Sequence, residues 1–284
     1  MTRASRAAGS HGTAWIVIAL IGLQSGCATP EDRIGAFATD HGWTTKTLAG
    51  NGFRHVVIFN GLHGDGLHVY IEGDGSPFLD RWTVAPDPTP RRPVMLALMA
   101  LDPAPSVYVG RPCYLGLARD PPCTPADWTV HRYSERVTAS MTGMIEQLRA
   151  DQGAASIEIY GHSGGGTLAV LIAHRLPGVA RVVTLAGNLD TDAWTRYHGY
   201  APLAGSLNPV RQGKLPGSVL QLHLAGSADR TVPAWLIVGA APLLGSANAV
   251  VLPGVTHTVG WNEHWPAVLD ATTTSRAPPA GGLP

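Results

Sequence analysis

The sequence predicts an α/β fold in which helices flank a mostly parallel central sheet. From about residue 44 onward, short apolar runs alternate with helix-length segments, which is typical of successive strand and helix units. The chain has 284 residues, of which 45% are hydrophobic, so a single domain can bury a large core. We therefore expect one globular domain over residues 28–270.

The strands are predicted from the short apolar runs. The first two runs flank Asn51-Gly52, a dipeptide that readily takes the two positive-φ positions of a tight hairpin turn, so the sheet should begin with an antiparallel pair. The predicted strands are residues 43–48, 53–59, 67–71, 106–109, 157–160, 179–185, 219–224 and 249–252.

The helices are predicted from apolar spacing and from stop signals. Residues 134–149 carry apolar side chains at helical spacing, which indicates one buried face. A helix over 164–176 should stop at Pro177-Gly178, and the segment 93–101 has no polar break, which favours a buried helix. Further helices are expected after the last two strands.

Two segments are predicted to be irregular. Residues 186–216 are rich in Trp, Tyr, His and Pro, and we interpret 188–217 as a short cap or substrate loop. Residues 271–284 consist largely of Pro, Gly, Thr and Ala and are expected to be a disordered tail.

The charge composition bears on the partners of the protein. Lys plus Arg and Asp plus Glu are equal at 20 each, and no run of like charges is present. A basic field that would gather phosphate backbones is therefore missing from the sequence, and nucleic acid is not an expected partner.

The first 27 residues have the pattern of a secretory signal. Arg3 and Arg6 precede the apolar run 14–23, which is too short to cross a hydrocarbon layer of about 30 Å comfortably. The following Leu23-Gln24-Ser25-Gly26-Cys27 resembles a bacterial lipobox, although Gln24 stands where that motif prefers an aliphatic residue. The resemblance implies lipidation of Cys27, with ordinary cleavage nearby as the alternative. We expect an exported protein, in the periplasm or anchored to a membrane of the cell envelope.

Cys113 and Cys123 remain as a pair. In an oxidising compartment two such thiols are expected to form a disulfide, which would contribute roughly 2 to 3 kcal/mol for a loop this short. A zinc site is disfavoured because no CxxC motif and no nearby His pair complete a set of four ligands.

The strongest chemical motif is Gly161-His162-Ser163-Gly164-Gly165. It follows a predicted strand and opens a predicted helix, the setting in which G-x-S-x-G forms a nucleophile elbow. Glycine two residues before and after the serine relieves crowding at such a sharp turn. The start of the helix also directs free N–H groups toward an oxyanion beside Ser163.

A serine nucleophile needs an imidazole and a carboxylate. Asp229 follows one late predicted strand and His257 follows the last one, which gives the order Ser163, Asp229, His257. Asp190 is an alternative acid because it also follows a strand, and His264 is an alternative base, although its segment looks helical. His162 is expected to line the elbow without transferring protons.

With these three segments the chain resembles the α/β-hydrolase superfamily over roughly residues 43–269. The resemblance implies an oxyanion hole with one N–H from Gly164 and a second from the loop after the third strand, which we assign by position to Asp74. That loop has Glu72-Gly73 where many members have His-Gly. If the assignment holds, the carboxylates of Asp74 and Glu72 lie near the pocket mouth and disfavour anionic substrates.

The predicted function follows from the triad. Ser163 would form an acyl-enzyme with a small-molecule ester or related acyl substrate, and no metal or organic cofactor is required. The same triad would serve a peptidase or acyltransferase, and the scaffold could belong to a non-catalytic envelope lipoprotein. The pattern His63-x-Asp65-x-x-His68 invites a metal site, but a polar loop between two strands explains it better.

Overall fold

The computed structural model of the protein describes residues 1–2, 28–246 and 248–273. The predicted signal sequence, Cys27 and the segment 274–284 lie outside the described residues, apart from the first two positions of the chain. Within the described ranges, every helix is too short or too polar to span a bilayer.

Eight strands form one sheet, as predicted. Its order is β1-β2-β4-β3-β5-β6-β7-β8. The pairs β1–β2 and β2–β4 are antiparallel, and the remaining neighbours are parallel. The strands are β1 (Thr44–Ala49), β2 (Arg54–Phe59), β3 (Gly66–Ile71), β4 (Ser106–Val109), β5 (Ser156–His162), β6 (Val179–Leu185), β7 (Leu220–Gly226) and β8 (Ala249–Leu252).

Seven α-helices accompany the sheet among the residues described. They are α1 (Pro30–Asp40), α2 (Val94–Met99), α3 (Glu135–Gln152), α4 (Gly164–Ala173), α5 (Thr191–His198), α6 (Ala234–Ala240) and α7 (Trp261–Thr273). Helix α3 begins where the Ser134 hydroxyl accepts the N–H of Val137 and ends at Gly153, whose φ of 64° needs a residue without a side chain.

The sheet separates two hydrophobic clusters. Side chains alternate across each strand, so Val57 packs on one face and Ile58 on the other. Buried residues of α3, α4 and α6 cover the first face. Buried residues of α1, α2 and α7 cover the second. The sheet therefore lies between two layers of helices, and the candidate site is built on the ends of its strands.

Two helices were not predicted. Helix α1 begins with a capping box, in which the Thr29 hydroxyl accepts the N–H of Asp32 at 3.2 Å and the Asp32 carboxylate accepts the N–H of Thr29 at 3.0 Å. Helix α5 lies inside the segment 186–216, so the prediction of irregular structure is wrong there. Its first turn is capped by Asp190, which accepts the N–H groups of Asp192 and Ala193.

The end of the domain and the disulfide were also predicted. Helix α7 extends to Thr273, beyond the expected domain end at residue 270. Cys113 and Cys123 form the expected disulfide, with their Cα atoms 5.6 Å apart. The disulfide closes part of the loop between β4 and α3.

Candidate active site

Ser163 sits on a sharp turn between β5 and α4. Its φ of 52° and ψ of −119° are strained for a residue with a side chain. A Cβ atom at Gly161 would lie 2.3 Å from the Gly165 carbonyl oxygen, and one at Gly165 would lie 2.2 Å from the Ile71 carbonyl oxygen. Glycine is therefore needed on both sides of Ser163, for the reason that the sequence predicts.

The structure brings Ser163, His257 and Asp229 together. The Nε2 atom of His257 lies 3.1 Å from Ser163 Oγ, and its Nδ1 atom lies 2.8 Å from Asp229 Oδ2. Asp229 follows β7, and its other carboxylate oxygen accepts the N–H groups of Thr231 and Val232 at 2.7 and 2.9 Å. A continuous chain of hydrogen bonds thus joins a fixed carboxylate to the serine hydroxyl through the imidazole.

The protonation of His257 is shifted by its surroundings. Burial lowers the pKa of its imidazole, and the neighbouring His162 acts in the same direction, whereas the hydrogen bond to Asp229 opposes both. The net effect lowers the pKa, so the imidazole is neutral and able to accept a proton near neutral pH.

The two alternatives considered for the triad lie elsewhere. Asp190 caps α5 and also accepts the Asn208 side-chain amide at 2.9 Å. His264 lies on α7 and is half-buried. Neither is the partner that the structure gives to Ser163 or His257.

The loop after β3 runs beside Ser163. A Cβ atom at Gly73 would lie 3.2 Å from Ser163 Cβ, and one at Gly164 would lie 2.1 Å from Asp74 Oδ1. Among the residues that the structure describes, the N–H groups of Gly164 and Asp74 donate to no acceptor. The two residues predicted to supply oxyanion donors are therefore neighbours with free N–H groups.

The Asp74 side chain is held by three groups that the sequence analysis missed. Arg111 Nη1 lies 2.6 Å from Asp74 Oδ1, while Arg132 Nη1 and the Tyr133 hydroxyl lie 3.0 and 2.6 Å from Asp74 Oδ2. Burial alone would raise the pKa of Asp74, but Arg132 and Arg111 hold it well below its usual range. No local signal could have found these partners, because they are distant in sequence.

The expected electrostatic role of Asp74 and Glu72 is therefore wrong. Glu72 is only 4% exposed, and its carboxylate accepts the N–H of Met95, at the start of α2, at 2.9 Å. The Asp74 carboxylate faces two guanidinium groups. Glu72 is buried and the charge of Asp74 is balanced, so neither acid presents a free negative charge at a pocket mouth.

His162 connects the elbow to the loop that carries His257. Its Nε2 atom donates to the His257 carbonyl oxygen at 2.7 Å, and its Nδ1 atom faces Glu72 Oε1 at 3.6 Å. The Trp261 indole N–H donates to the same carbonyl at 3.0 Å. Two buried donors thus fix the backbone of His257.

Helix α5 is hydrogen-bonded to the loop that carries Asp229. The Trp194 indole N–H and the His198 Nε2 atom lie 2.7 and 2.8 Å from the Thr231 carbonyl oxygen. Since the N–H of Thr231 donates to Asp229, one residue links α5 to the carboxylate. Helix α5 therefore supports the position of Asp229.

The residues of the possible metal motif are separated. His68 Nδ1 lies 2.6 Å from the buried carboxylate of Asp102, and the Tyr70 hydroxyl donates to the same oxygen at 2.5 Å. Across the described ranges, no three His, Cys, Asp or Glu side chains are grouped as a metal site would need. His68 belongs to a buried polar cluster with Tyr70 and Asp102.

Comparisons with known proteins identify the fold. No protein-family model and no curated protein matches the chain. Among solved structures, it is similar to the esterase Pf2001 of Pyrococcus furiosus, with 12% identity, a TM-score of 0.57 and coverage of 83% of this chain and 94% of the esterase. It is also similar to a membrane phospholipase A described as a bacterial virulence factor, with 15% identity and a TM-score of 0.56. That match covers 87% of this chain and 93% of the phospholipase.

A third similar structure is the acylaminoacyl peptidase of Pyrococcus horikoshii. It gives 12% identity and a TM-score of 0.56, and the match covers 85% of this chain but 43% of the peptidase. These three proteins are hydrolases with different substrates, so the likeness concerns architecture. With its mostly parallel eight-stranded sheet and these neighbours, the chain has the α/β-hydrolase fold predicted from its sequence.

Proposed function

We propose that the protein is a serine hydrolase that cleaves an ester or related acyl bond through an acyl-enzyme. One observation carries the proposal, namely the unbroken hydrogen-bond chain from Asp229 through His257 to Ser163. A buried carboxylate, an imidazole and a hydroxyl in this order are what proton removal from a serine requires.

The first half of the reaction follows from these positions. The Ser163 Oγ atom attacks the substrate carbonyl while its proton passes to His257 Nε2. Asp229 stabilises the imidazolium through the Nδ1–H bond. The N–H groups of Gly164 and Asp74 donate to the oxyanion, and each such donor is worth about 3 to 4 kcal/mol in comparable sites. The leaving group departs with the proton from His257.

The second half regenerates the enzyme. A water molecule loses a proton to His257 and attacks the acyl carbonyl on Ser163. Collapse of the second tetrahedral species breaks the bond to Ser163 Oγ, which recovers the proton from His257. The carboxylic acid is released, and no metal or organic cofactor takes part in these steps.

The arginines beside Asp74 give its side chain a supporting role. Because Arg111, Arg132 and Tyr133 bind the Asp74 carboxylate, the residue cannot rotate freely. Its backbone N–H is therefore pre-oriented next to Gly164, as electrostatic stabilisation of an oxyanion demands. We assign Arg111 and Arg132 as positioning residues.

A fluorophosphonate probe tests the proposal. Such probes form a covalent bond with a serine that a neighbouring imidazole activates, so the wild type should be labelled and Ser163→Ala should not. Ser156→Ala is the matched control, since Ser156 begins the same strand β5 at its opposite end. Equal labelling of wild type and Ser163→Ala would refute the assignment, and labelling of neither would favour a non-catalytic scaffold.

The triad determines neither whether the scissile bond is an ester or a peptide bond, nor whether water or an alcohol accepts the acyl group. A peptidase or an acyltransferase is therefore the second candidate. The similar structures include a peptidase as well as an esterase. Product analysis with an ester, a peptide and an alcohol acceptor separates the three activities. An ester hydrolase should release free acid, whereas a transferase should form a new ester with the alcohol.

We also propose that the protein works in the cell envelope, in the periplasm or attached to a membrane through Cys27. The Cys113–Cys123 disulfide supports an oxidising compartment. Fractionation of cells, followed by mass spectrometry of the mature N-terminus, tests this. An uncleaved chain in the cytosol would contradict it.

A further inference from the structure

A small hairpin projects from the domain just after the loop that carries Asp74. Phe78 and Val84 pair as an antiparallel bridge, and the N–H of Leu79 donates to the Thr83 carbonyl at 2.9 Å. At the tip, the Asp80 carboxylate accepts the N–H groups of Trp82 and Thr83 at 2.8 Å each. We call residues 77–85 the apolar hairpin.

The apolar hairpin exposes large apolar side chains to an unusual degree. Trp82 is 82% exposed, Leu79 56% and Phe78 41%. Single exposed apolar side chains are ordinary on a protein surface, but a group of them on one projecting element marks an interaction site. The guanidinium of Arg81 lies 5.3 Å from the Trp82 ring, so a cation accompanies the aromatic tip.

The base of the hairpin is fixed to the domain. The indole N–H of the buried Trp128 donates to the Ala85 carbonyl at 3.1 Å, and the N–H of Ser76 donates to the Pro88 carbonyl at 2.8 Å. The hairpin is therefore held in its projecting position, and a partner does not have to order it on binding.

The same surface lies beside the start of the globular domain. The N–H of Gly116 donates to the Asp87 carboxylate, just after the hairpin, at 3.0 Å. A Cβ atom at Gly116 would lie 3.9 Å from Cγ of Glu31 in the first turn of α1. The chain that carries the apolar run 14–23 and Cys27 thus joins the domain close to the base of the hairpin.

The chemistry of this surface fits a lipid bilayer. Trp and Arg side chains are suited to a membrane surface, because the ring enters the headgroup region while the guanidinium reaches phosphates. Arg91 and Arg92 follow the hairpin and are exposed, as is Arg81. Arg81 lies at the apolar tip itself, and a cation in that position favours anionic lipids.

We propose that the apolar hairpin docks on the surface of a phospholipid bilayer containing anionic lipids, with Trp82 and Leu79 entering the headgroup region. This contact is separate from the proposed lipidation of Cys27 and from the catalytic proposal. It would place the loop carrying Asp74 next to the membrane.

A fluorescent label on the hairpin tests the proposal in the full chain. In a Cys27→Ala background, Trp82→Cys is labelled with an environment-sensitive nitrobenzoxadiazole dye, while the disulfide remains closed. Trp235→Cys is the matched control, because Trp235 is 57% exposed on α6. Vesicles of phosphatidylcholine and phosphatidylglycerol in a ratio of about 7 to 3 are then added, so that anionic headgroups are present.

The expected result is a rise of about twofold or more in emission, with a blue shift, for the label at 82, because its surroundings become apolar. The label at 235 should not respond. Phosphatidylcholine alone should give a smaller response, and an equal one would contradict the role of the arginines. The proposal would be overturned if the label at 82 did not respond, or if both labels responded equally. It would also be overturned by a response without vesicles that rises with protein concentration, which would indicate self-association.

Because the readout is independent of catalysis, its failure and that of the hydrolase proposal are distinguishable.

Discussion

The Nε2 atom of His162 donates to the carbonyl oxygen of His257 at 2.7 Å, so the residue before Ser163 holds the backbone of the histidine that faces Ser163. The two rings lie 4.8 Å apart, and Trp261 provides a second donor to the same carbonyl. On the other side of His162 lies the buried carboxylate of Glu72. His257 is therefore positioned through its backbone as well as through Asp229.

Removing the His162 donor should reduce turnover. We expect His162→Phe to lower kcat by roughly fivefold, since the loss of one such hydrogen bond corresponds to about 1 kcal/mol, with little change in KM. His162→Gln is the matched variant, because its side-chain amide can reach the same carbonyl, and it should retain most of the activity. Steady-state kinetics on one ester measures both. Equal losses in the two variants would contradict a positioning role.

Substitution of Asp229 and substitution of Asp190 should differ sharply in their effect on kcat. Asp229→Asn should lower kcat by on the order of 10⁴-fold, as loss of the acid does in other triads, because the imidazole would lose the acceptor for its Nδ1–H. Asp190→Asn should leave kcat within about twofold, since asparagine is also a good helix N-cap. The comparison is made at one pH near neutrality. A large loss in Asp190→Asn alone would reverse the assignment.

The activity should persist into mildly acidic solution. Burial lowers the pKa of His257, so the neutral base survives below the ordinary histidine value of about 6.5. The acidic limb of kcat/KM against pH should therefore reach half its maximum below that value, and activity should fall as pH decreases through it. A pH–rate profile of the free enzyme gives this midpoint. A midpoint above pH 7 would show that the imidazole is stabilised as a cation instead.

Asp74 should matter for stability as well as for catalysis. Asp74→Asn leaves two buried guanidinium groups without their carboxylate, and breaking a buried ion pair in this way typically costs about 3 to 5 kcal/mol. Asp120→Asn is the control, because its pair with Arg54 is at the surface and should contribute less than about 1 kcal/mol. Urea unfolding at neutral pH measures both free energies. Equal effects would mean that the Asp74 cluster is not a structural unit.

The free energy of unfolding should fall as the solution is acidified. Burial lowers the pKa of His55 and of His223 to about 4. The unfolded chain therefore binds more protons than the folded chain between that value and about 6.5, and the stabilisation is complete only above this window. At the lower end of this pH window, each histidine should have lowered the free energy of unfolding by up to about 3 kcal/mol.

A variant separates the His55 contribution. His55 Nδ1 lies 2.9 Å from the Gly110 carbonyl oxygen, and an asparagine amide can take over that bond without titrating. His55→Asn should therefore show a shallower loss of stability between pH 6.5 and pH 4 than the wild type, whatever its stability at pH 7. Urea midpoints at several pH values measure the slope. An unchanged slope would exclude His55 as a source of the acid sensitivity.

What the sequence revealed was local or periodic. The antiparallel pair joined at Asn51-Gly52 and the crowding around Ser163 depend on residues adjacent in the chain, and both agree with the structure. The turn itself differs from the prediction, because Gly52 takes a positive φ and Asn51 does not. Helix α1 was missed although Thr29 and Asp32 form a capping box, because its apolar stripe is short and consists only of Ile34, Phe37 and Ala38. The pairing of Asp74 with Arg111 and Arg132 could not be inferred, since it depends on how distant segments pack.

The disulfide between Cys113 and Cys123 lies in the same stretch of chain as Arg111 and Arg132. Its closure shortens the covalent path between the two guanidinium groups and restricts how far they can separate. Reduction of the disulfide would lengthen this covalent path and weaken the hold of the two guanidinium groups on the Asp74 carboxylate. The oxidation state of two cysteines remote from Ser163 is thereby connected to the order of the loop that carries Asp74, the proposed oxyanion donor.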